Sequence, residues 1–495
     1  MQLETKRIRE LNILSILILV ICCLFIGQLS IKKYFSSYLY WGIGFLIPFI
    51  ILYIVLVIKK MEFSFILIIY VLQHFVYIEN QGGLWNLLTF AIIIAYILSI
   101  KNRKNTFFFE EINMKILFYV LIVMHIIGMA VKSQMSLSVR LLETATFISY
   151  ILMYFFVSRQ IIELERLRSF FWICLIITAY MAIVCINQRY AFFFFDSPIF
   201  PLVINTPGYT STNSYGTIGS GPLLGEYALG IMTIFAPFVL LRGLLKEIGI
   251  KALWMIILAT LCYIILIITN NRSTFILFIL MISVYLVIYI SLKRINITMI
   301  SFLISILFVS IALPSYLGLT TLIERIDLID FQTISVKGIL SGEVINRSNV
   351  FPVVLDRLVK ESWFVGYGYG NIESNAIAWF GMLDEYVSDT HNLYFALPMN
   401  FGWFGAAAFI LIIITVFIRL SKMVRIKNKS YMPLYLYATI LGFLIFWPLF
   451  LIDEYKVNML AKNNYQAIVW IWLGISNALV RTARGEIYNI KNKGN

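Results

Sequence analysis

ALWMIILATLCYIILIITNNRSTFILFILMISVYLVIYIS, residues 252–291, holds one charged side chain, Arg272. Apolar runs near 252–269 and 273–291 flank it. Each is close to the roughly 20 residues that a helix needs to cross a hydrocarbon core. Between them only TNNRS, 269–273, is polar, and it makes a very tight turn. Lipid offers backbone groups no hydrogen-bond partner, so a run of this kind must close its own bonds as a helix. The pair therefore reads as a membrane hairpin.

Outward from this hairpin the pattern repeats. Further apolar runs fall near 11–30, 37–58, 63–78, 84–100, 116–131, 140–157, 169–187, 223–241, 297–316, 392–418, 431–451 and 465–480. The expectation is an all-α integral membrane protein with about 14 transmembrane helices, within a range of 12–14. Composition agrees. Of 495 residues, 61% are hydrophobic and 13% charged, where a soluble domain carries about a quarter. No soluble core has room for so much apolar surface.

The net charge of +14 is broken into short clusters between apolar runs. That is a topology signal, and no basic folded domain is present that would suit nucleic acid. With the N-terminus inside, the inner loops hold KRIR, KNRK, LKR and RIKNK. Roughly 26 Lys and Arg fall inside against 13 outside, as the positive-inside rule expects. Both termini are then cytoplasmic, with 482–495 as a cytoplasmic tail on one polytopic domain spanning 1–495. The opening MQLETKRIRE and the apolar run after it read as a retained first helix. Cys22, Cys23, Cys174, Cys185 and Cys262 all lie in apolar runs, without zinc-ligand spacing.

Two outer segments are long. Residues 188–222 form a loop rich in Pro, Gly, Ser and Thr. Residues 317–390 form one large, partly helical extracytoplasmic loop. In it Asn346 caps a helix through RSNVFPVVLDRLVKES, which ends at VGYGYGN. That glycine run has neither a Walker lysine nor a strand–helix setting. It turns sharply and is expected to expose Tyr367 and Tyr369, whose rings would suit sugars.

Chemistry-bearing residues gather at the outer edge. His74 and His125 sit inside apolar runs and read as core histidines. His391 stands where the large loop re-enters the membrane, at the headgroup level. Arg272, Arg140, Arg189, Arg347 and Arg357 are outer arginines, against the usual bias. Guanidinium groups suit phosphate recognition; interfacial anchoring is the other reading, and Arg140 has Glu143 one turn on for an ion pair. Glu226 near the outer end of its helix is either a functional acid or a charge favoured by the macrodipole. Asp453, Glu454, Glu79 and Asp196 read as ordinary outer-loop acids. No Asp, His and Glu cluster has metal spacing, and no cofactor is expected.

Four stretches together resemble a known family: NNRST (270–274), INRSNVFPVVLDRLVKESWFVGYGYG (345–370), the HN of 391–392, and NFGWFG (400–405). They resemble the O-antigen ligase and polymerase superfamily, the Wzy-type polymerases and WaaL-type ligases. The resemblance spans about 140–409. It implies a GT-C-like, metal-independent membrane glycosyltransferase. Such an enzyme moves a glycan from an undecaprenyl-diphosphate carrier to an acceptor sugar at the outer face, building a surface polysaccharide. It implies that His391 assists the acceptor hydroxyl and that Arg272, Arg347 and Arg140 bind the diphosphate. Arg189, Glu226, Arg357, Tyr367 and Tyr369 are further candidates. The implied setting is the inner, cytoplasmic membrane. The partners are the lipid-linked oligosaccharide and membrane lipids, with a flippase and a chain-length regulator of the same pathway. A ligase with the same chemistry and a polysaccharide transporter or flippase are the rival expectations. The transporter is weakened because the charges sit at the edge, not at the midplane.

Overall fold

The structure is a computed structural model. It describes residues 112–133, 135–190, 221–240, 248–269, 271–291, 364–369, 392–425, 432–456, 458–461 and 463–493, with single positions between 69 and 96 and between 352 and 360. Nine of the expected spans fall on these residues, and all are helical: α1 (Ile112–Val131), α2 (Leu137–Ser158), α3 (Leu164–Tyr190), α4 (Gly221–Leu240), α5 (Ala252–Ile268), α6 (Arg272–Ser291), α7 (Leu393–Val424), α8 (Leu434–Asp453) and α9 (Asn463–Lys493). A single 3-10 turn, Met459–Ala461, precedes α9. No strand occurs among the described residues. Helices α1, α2, α3, α4, α7 and α8 are long and apolar enough to cross a membrane, and α5 and α6 are shorter apolar helices. The chain is an integral membrane protein of helical class.

The runs expected before residue 112 and near 297–316 lie outside the described residues, apart from scattered helical positions such as Tyr70 and Thr89. Two boundaries differ from expectation. Helix α7 continues past 418 to Val424, and α9 continues through most of 482–495, to Lys493. The Lys and Arg that end an apolar run are good helix formers, so a helix outlasts its apolar stretch.

The hydrophobic pattern is that of a membrane bundle, with apolar side chains outside as well as inside. Leu253, Trp254, Val287, Phe404 and Leu411 are exposed. Inside, large rings interlock, led by Trp447, Trp470, Trp472 and Tyr227, all fully buried. Tyr227 stacks on Trp472 with centroids 5.6 Å apart. Lipid tails are as apolar as leucine, so close packing rather than water exclusion holds such helices together. Gly442 shows the consequence: a Cβ there would strike the Ile234 carbonyl, so α4 and α8 touch backbone to backbone.

Successive helices run back and forth, which gathers their ends into two groups. One group is basic. There Arg481 Nη1 donates to the Ser158 carbonyl at 2.9 Å, Arg168 Nε to Ile248 at 2.6 Å, and Arg166 Nη1 to Ile161 at 2.8 Å. The other group gathers the end of α5 and α8 with the starts of α4, α6, α7 and α9.

Candidate active site

The glycine run of the large loop is built into the bundle. Helix α7 holds Gly402 at φ 67°, ψ 174°, a region that essentially only glycine enters. The break there frees carbonyls of the preceding turn. Tyr367 N–H donates to Met399 O at 2.7 Å and Gly368 N–H to Asn400 O at 2.8 Å. Residues 364–369 therefore lie as an inlay against α7, with α1 on the other side. Close approach needs bare glycines. A Cβ on Gly366 would meet the Asn400 carbonyl, one on Gly402 the Phe364 carbonyl, and one on Gly128 of α1 would stand 2.6 Å from Gly366 O.

This corrects the expectation for the two tyrosines. Tyr369 is 3% exposed. Its N–H donates to His125 Nδ1 at 3.1 Å, and its hydroxyl accepts from Gln466 Nε2 at 2.6 Å. Its ring lies against Phe147 and Tyr150. Tyr367 is half-buried, and Lys132 Nζ stands 5.2 Å from its ring centroid. An open sugar platform is thus not what the glycines make. They make a backbone splice, and its tyrosines anchor it.

From Gln466 the polar path runs on. Gln466 Nε2 also donates to Leu460 O at 3.1 Å, within the turn before α9. In the same turn Met459 N–H donates to Glu454 Oε2 at 3.0 Å. Glu454 O accepts the N–H of Leu393 at 2.9 Å, the first residue of α7. Asn392 caps that helix, its Oδ1 accepting from Tyr394 N at 2.8 Å and Phe395 N at 3.3 Å. The gathered helix ends are thereby tied to one another and to the inlay.

At their centre stands an acidic wall. Asp453 and Glu454, expected to be ordinary loop acids, are 1% and 0% exposed, and Glu226 of α4 is 1% exposed. Glu226 lies within electrostatic reach of Glu454, Asp453 and Tyr465. Ser273, on the first turn of α6, faces Asp453. Asn271, just before that turn, donates from Nδ2 to Pro222 O on α4 at 3.5 Å and accepts from Ser273 Oγ at 3.1 Å.

The sequence candidates distribute as follows. Arg272 opens α6 between Asn271 and Ser273, and Arg189 is the penultimate residue of α3; their side chains lie outside the described residues, as do His391, Arg347 and Arg357 entirely. The chain neighbours of two candidates do converge. Ser273 beside Arg272 and Leu393, two residues after His391, both border the 453–454 segment. Arg140 is separate, on the first turn of α2, where its Nε donates to Met135 O at 2.7 Å. The ion pair with Glu143, the alternative reading for Arg140, is not formed among the described residues. Near the large loop's helix, Pro352, Leu355, Asp356, Val359 and Lys360 are helical, and Lys360 pairs with Asp356 at 2.7 Å.

Residues 254–410 match the model of the O-antigen ligase family. This stretch is similar to the O-antigen ligase domain. It covers less than half of the chain. It supports membership of the O-antigen ligase and polymerase superfamily, and with it an O-antigen ligase- or polymerase-type function for a multi-pass membrane protein. No curated protein matches the chain. The matched stretch starts on α5 and ends on α7, so it takes in Arg272, Arg347, Arg357, the inlay, His391 and the Gly402 break. The acids that complete the wall, Glu226, Asp453 and Glu454, lie outside its limits. Sequence reading passed over Asp453 and Glu454 because a DE pair just after an apolar run looks like a helix end in water. Their one available signal was position: they follow α8 at the edge that His391 and Arg272 also occupy.

Proposed function

We propose that the chain polymerises undecaprenyl-diphosphate-linked oligosaccharide repeat units at the outer membrane face, for a surface polysaccharide. The observation that carries this reading is the convergence, at one end of the bundle, of the two helix starts within the matched stretch: that of α6 at Arg272 and that of α7 beside His391. In the reaction the acceptor hydroxyl oxygen attacks the anomeric carbon of the donor glycan. The bond from that carbon to the diphosphate oxygen breaks, and the carrier diphosphate leaves. The hydroxyl proton passes to His391, since a sugar hydroxyl is too weak an acid to attack unaided near neutral pH. Arg272 and Arg347 stabilise the charge that develops on the diphosphate, most effectively where water is excluded. The driving force is the diphosphate bond itself, so no nucleotide is needed.

The test is purified protein in lipid nanodiscs with lipid-linked repeat units. Glycan chains lengthen with the wild type. His391→Ala falls by about 100- to 10,000-fold, the usual worth of base assistance, and Arg272→Ala falls further. Absence of lengthening, or full rate in both variants, overturns the proposal. The description of the matched family favours a second reading, a single transfer to a lipid or wall acceptor. A ladder of products marks a polymerase, and one discrete conjugate marks a ligase.

A further inference from the structure

Glu143 stands on the second turn of α2, at the end of the bundle opposite the basic one. Helical spacing places it on the face that continues through Phe147, Tyr150 and Tyr154. Those three rings are 0% exposed. Before Glu143, by contrast, Leu137, Val139 and Leu141 are exposed, and Glu143 itself is half-buried. Helix α2 thus enters the packed interior at this residue, and the carboxylate is still open on one side. On its inner side it lies within electrostatic reach of Tyr150 and of Tyr369 in the inlay.

Among the described residues no ion pair or hydrogen bond reaches this carboxylate. Arg140, one turn earlier, turns its Nε to Met135 O. An acid within a membrane bundle is costly and marks a place where a ligand or a water-filled path is met. Its charge narrows the ligand. A carboxylate repels a diphosphate, so the carrier's leaving group does not fit here. It offers about four acceptor positions and no donor. The matching ligand carries several neutral donors close together, as a sugar does with adjacent hydroxyls, and bonds to an ionised acceptor are the stronger kind. The position agrees. Tyr369 bonds to Gln466, and Gln466 to the turn that meets Glu454, so two side chains link Glu143 to the gathered helix ends.

We propose that Glu143 is a glycan-binding residue, whose carboxylate accepts hydrogen bonds from the hydroxyls of a sugar beside the inlay. This rests on the reading under Proposed function and adds to it a sugar contact away from the diphosphate. The sugar belongs to the donor or to the acceptor, and kinetics separate the two.

The probe is the free oligosaccharide released by mild acid from the lipid-linked repeat unit, which keeps the sugars and loses the diphosphate. Its binding to the purified protein in nanodiscs is followed by ligand-observed NMR. Glu143→Leu weakens binding about 10- to 100-fold, the usual worth of hydrogen bonds to a charged group. Glu143→Gln weakens it less, because its amide oxygen still accepts. Both variants unfold at or above the wild-type temperature, since a part-buried charge has been removed. In the transfer assay, a raised KM for the lipid-linked donor assigns the contact to the donor sugar, and a raised KM for added oligosaccharide assigns it to the acceptor; either supports the site. Equal binding by all three proteins overturns it, as does a wild type that does not bind the oligosaccharide. So does a lower unfolding temperature with binding per folded molecule unchanged, the mark of a structural carboxylate. The two proposals fail separately: Glu143-dependent binding without any transfer sinks the polymerase reading alone, and transfer with wild-type binding and KM in both variants sinks this site alone.

Discussion

His125 accepts a hydrogen bond through Nδ1, so its neutral ring carries the proton on Nε2. Among the described residues that nitrogen has no oxygen or nitrogen partner, and it is buried among the rings of Phe147 and Phe401 at centroid distances of 4.6 and 5.9 Å. The ring is therefore kept for its acceptor. His125→Asn can place an amide oxygen near the Nδ1 position, whereas His125→Phe fills the space and strands the Tyr369 N–H. An unsatisfied buried donor costs about 1–3 kcal/mol. Thermal unfolding in detergent should show the Phe variant less stable than the Asn variant by about that amount. If the Asn variant is the less stable one, ring packing and not the hydrogen bond is what matters.

At the scale of elements, the notable unit is the splice between the inlay and α7. The break at Gly402 and the bonds to Met399 and Asn400 depend on each other: without the break those carbonyls would be taken within the helix. Adding a Cβ at Gly402 introduces backbone strain of about 1–3 kcal/mol and a clash with the Phe364 carbonyl. Gly366→Ala adds overpacking, typically about 1–3 kcal/mol, against Asn400. Both variants should unfold at lower temperature, and protease should cut 371–391 faster. Gly485→Ala is the contrast. Nothing lies within 4 Å of a Cβ there, and the site is helical, so it should gain about 0.5–1 kcal/mol. Equal losses in all three would mean that space at the splice is not what the glycines provide.

Across the whole molecule, the basic and acidic ends make a claim about sidedness. Single cysteines placed in a cysteine-free background at 161, between α2 and α3, and at 455, after α8, should label from opposite sides of the membrane, 455 from outside. Labelling from one side would refute the alternating topology. What the sequence disclosed follows from what it encodes locally. A span such as 252–268 is legible because an unbroken apolar run in lipid has one backbone solution. The resemblance, about 140–409, overlaps the matched 254–410 because NNRST, HN and NFGWFG are local strings. The role of Gly366 and Gly402 was not legible, since each is needed by a carbonyl from a distant segment. Nor was the burial of Asp453 and Glu454, which is set by where α4, α6 and α7 end around them.

The inlay also bears on how the protein is made. Residues 364–369 are held by His125 on one side and by Met399 and Asn400 on the other, with Gln466 beyond. An early helix thus waits for partners that leave the ribosome some 240–340 residues after it. Until α7 has been synthesised and inserted, the large loop has no docking seam. The candidate site is accordingly among the last parts of the molecule to be assembled.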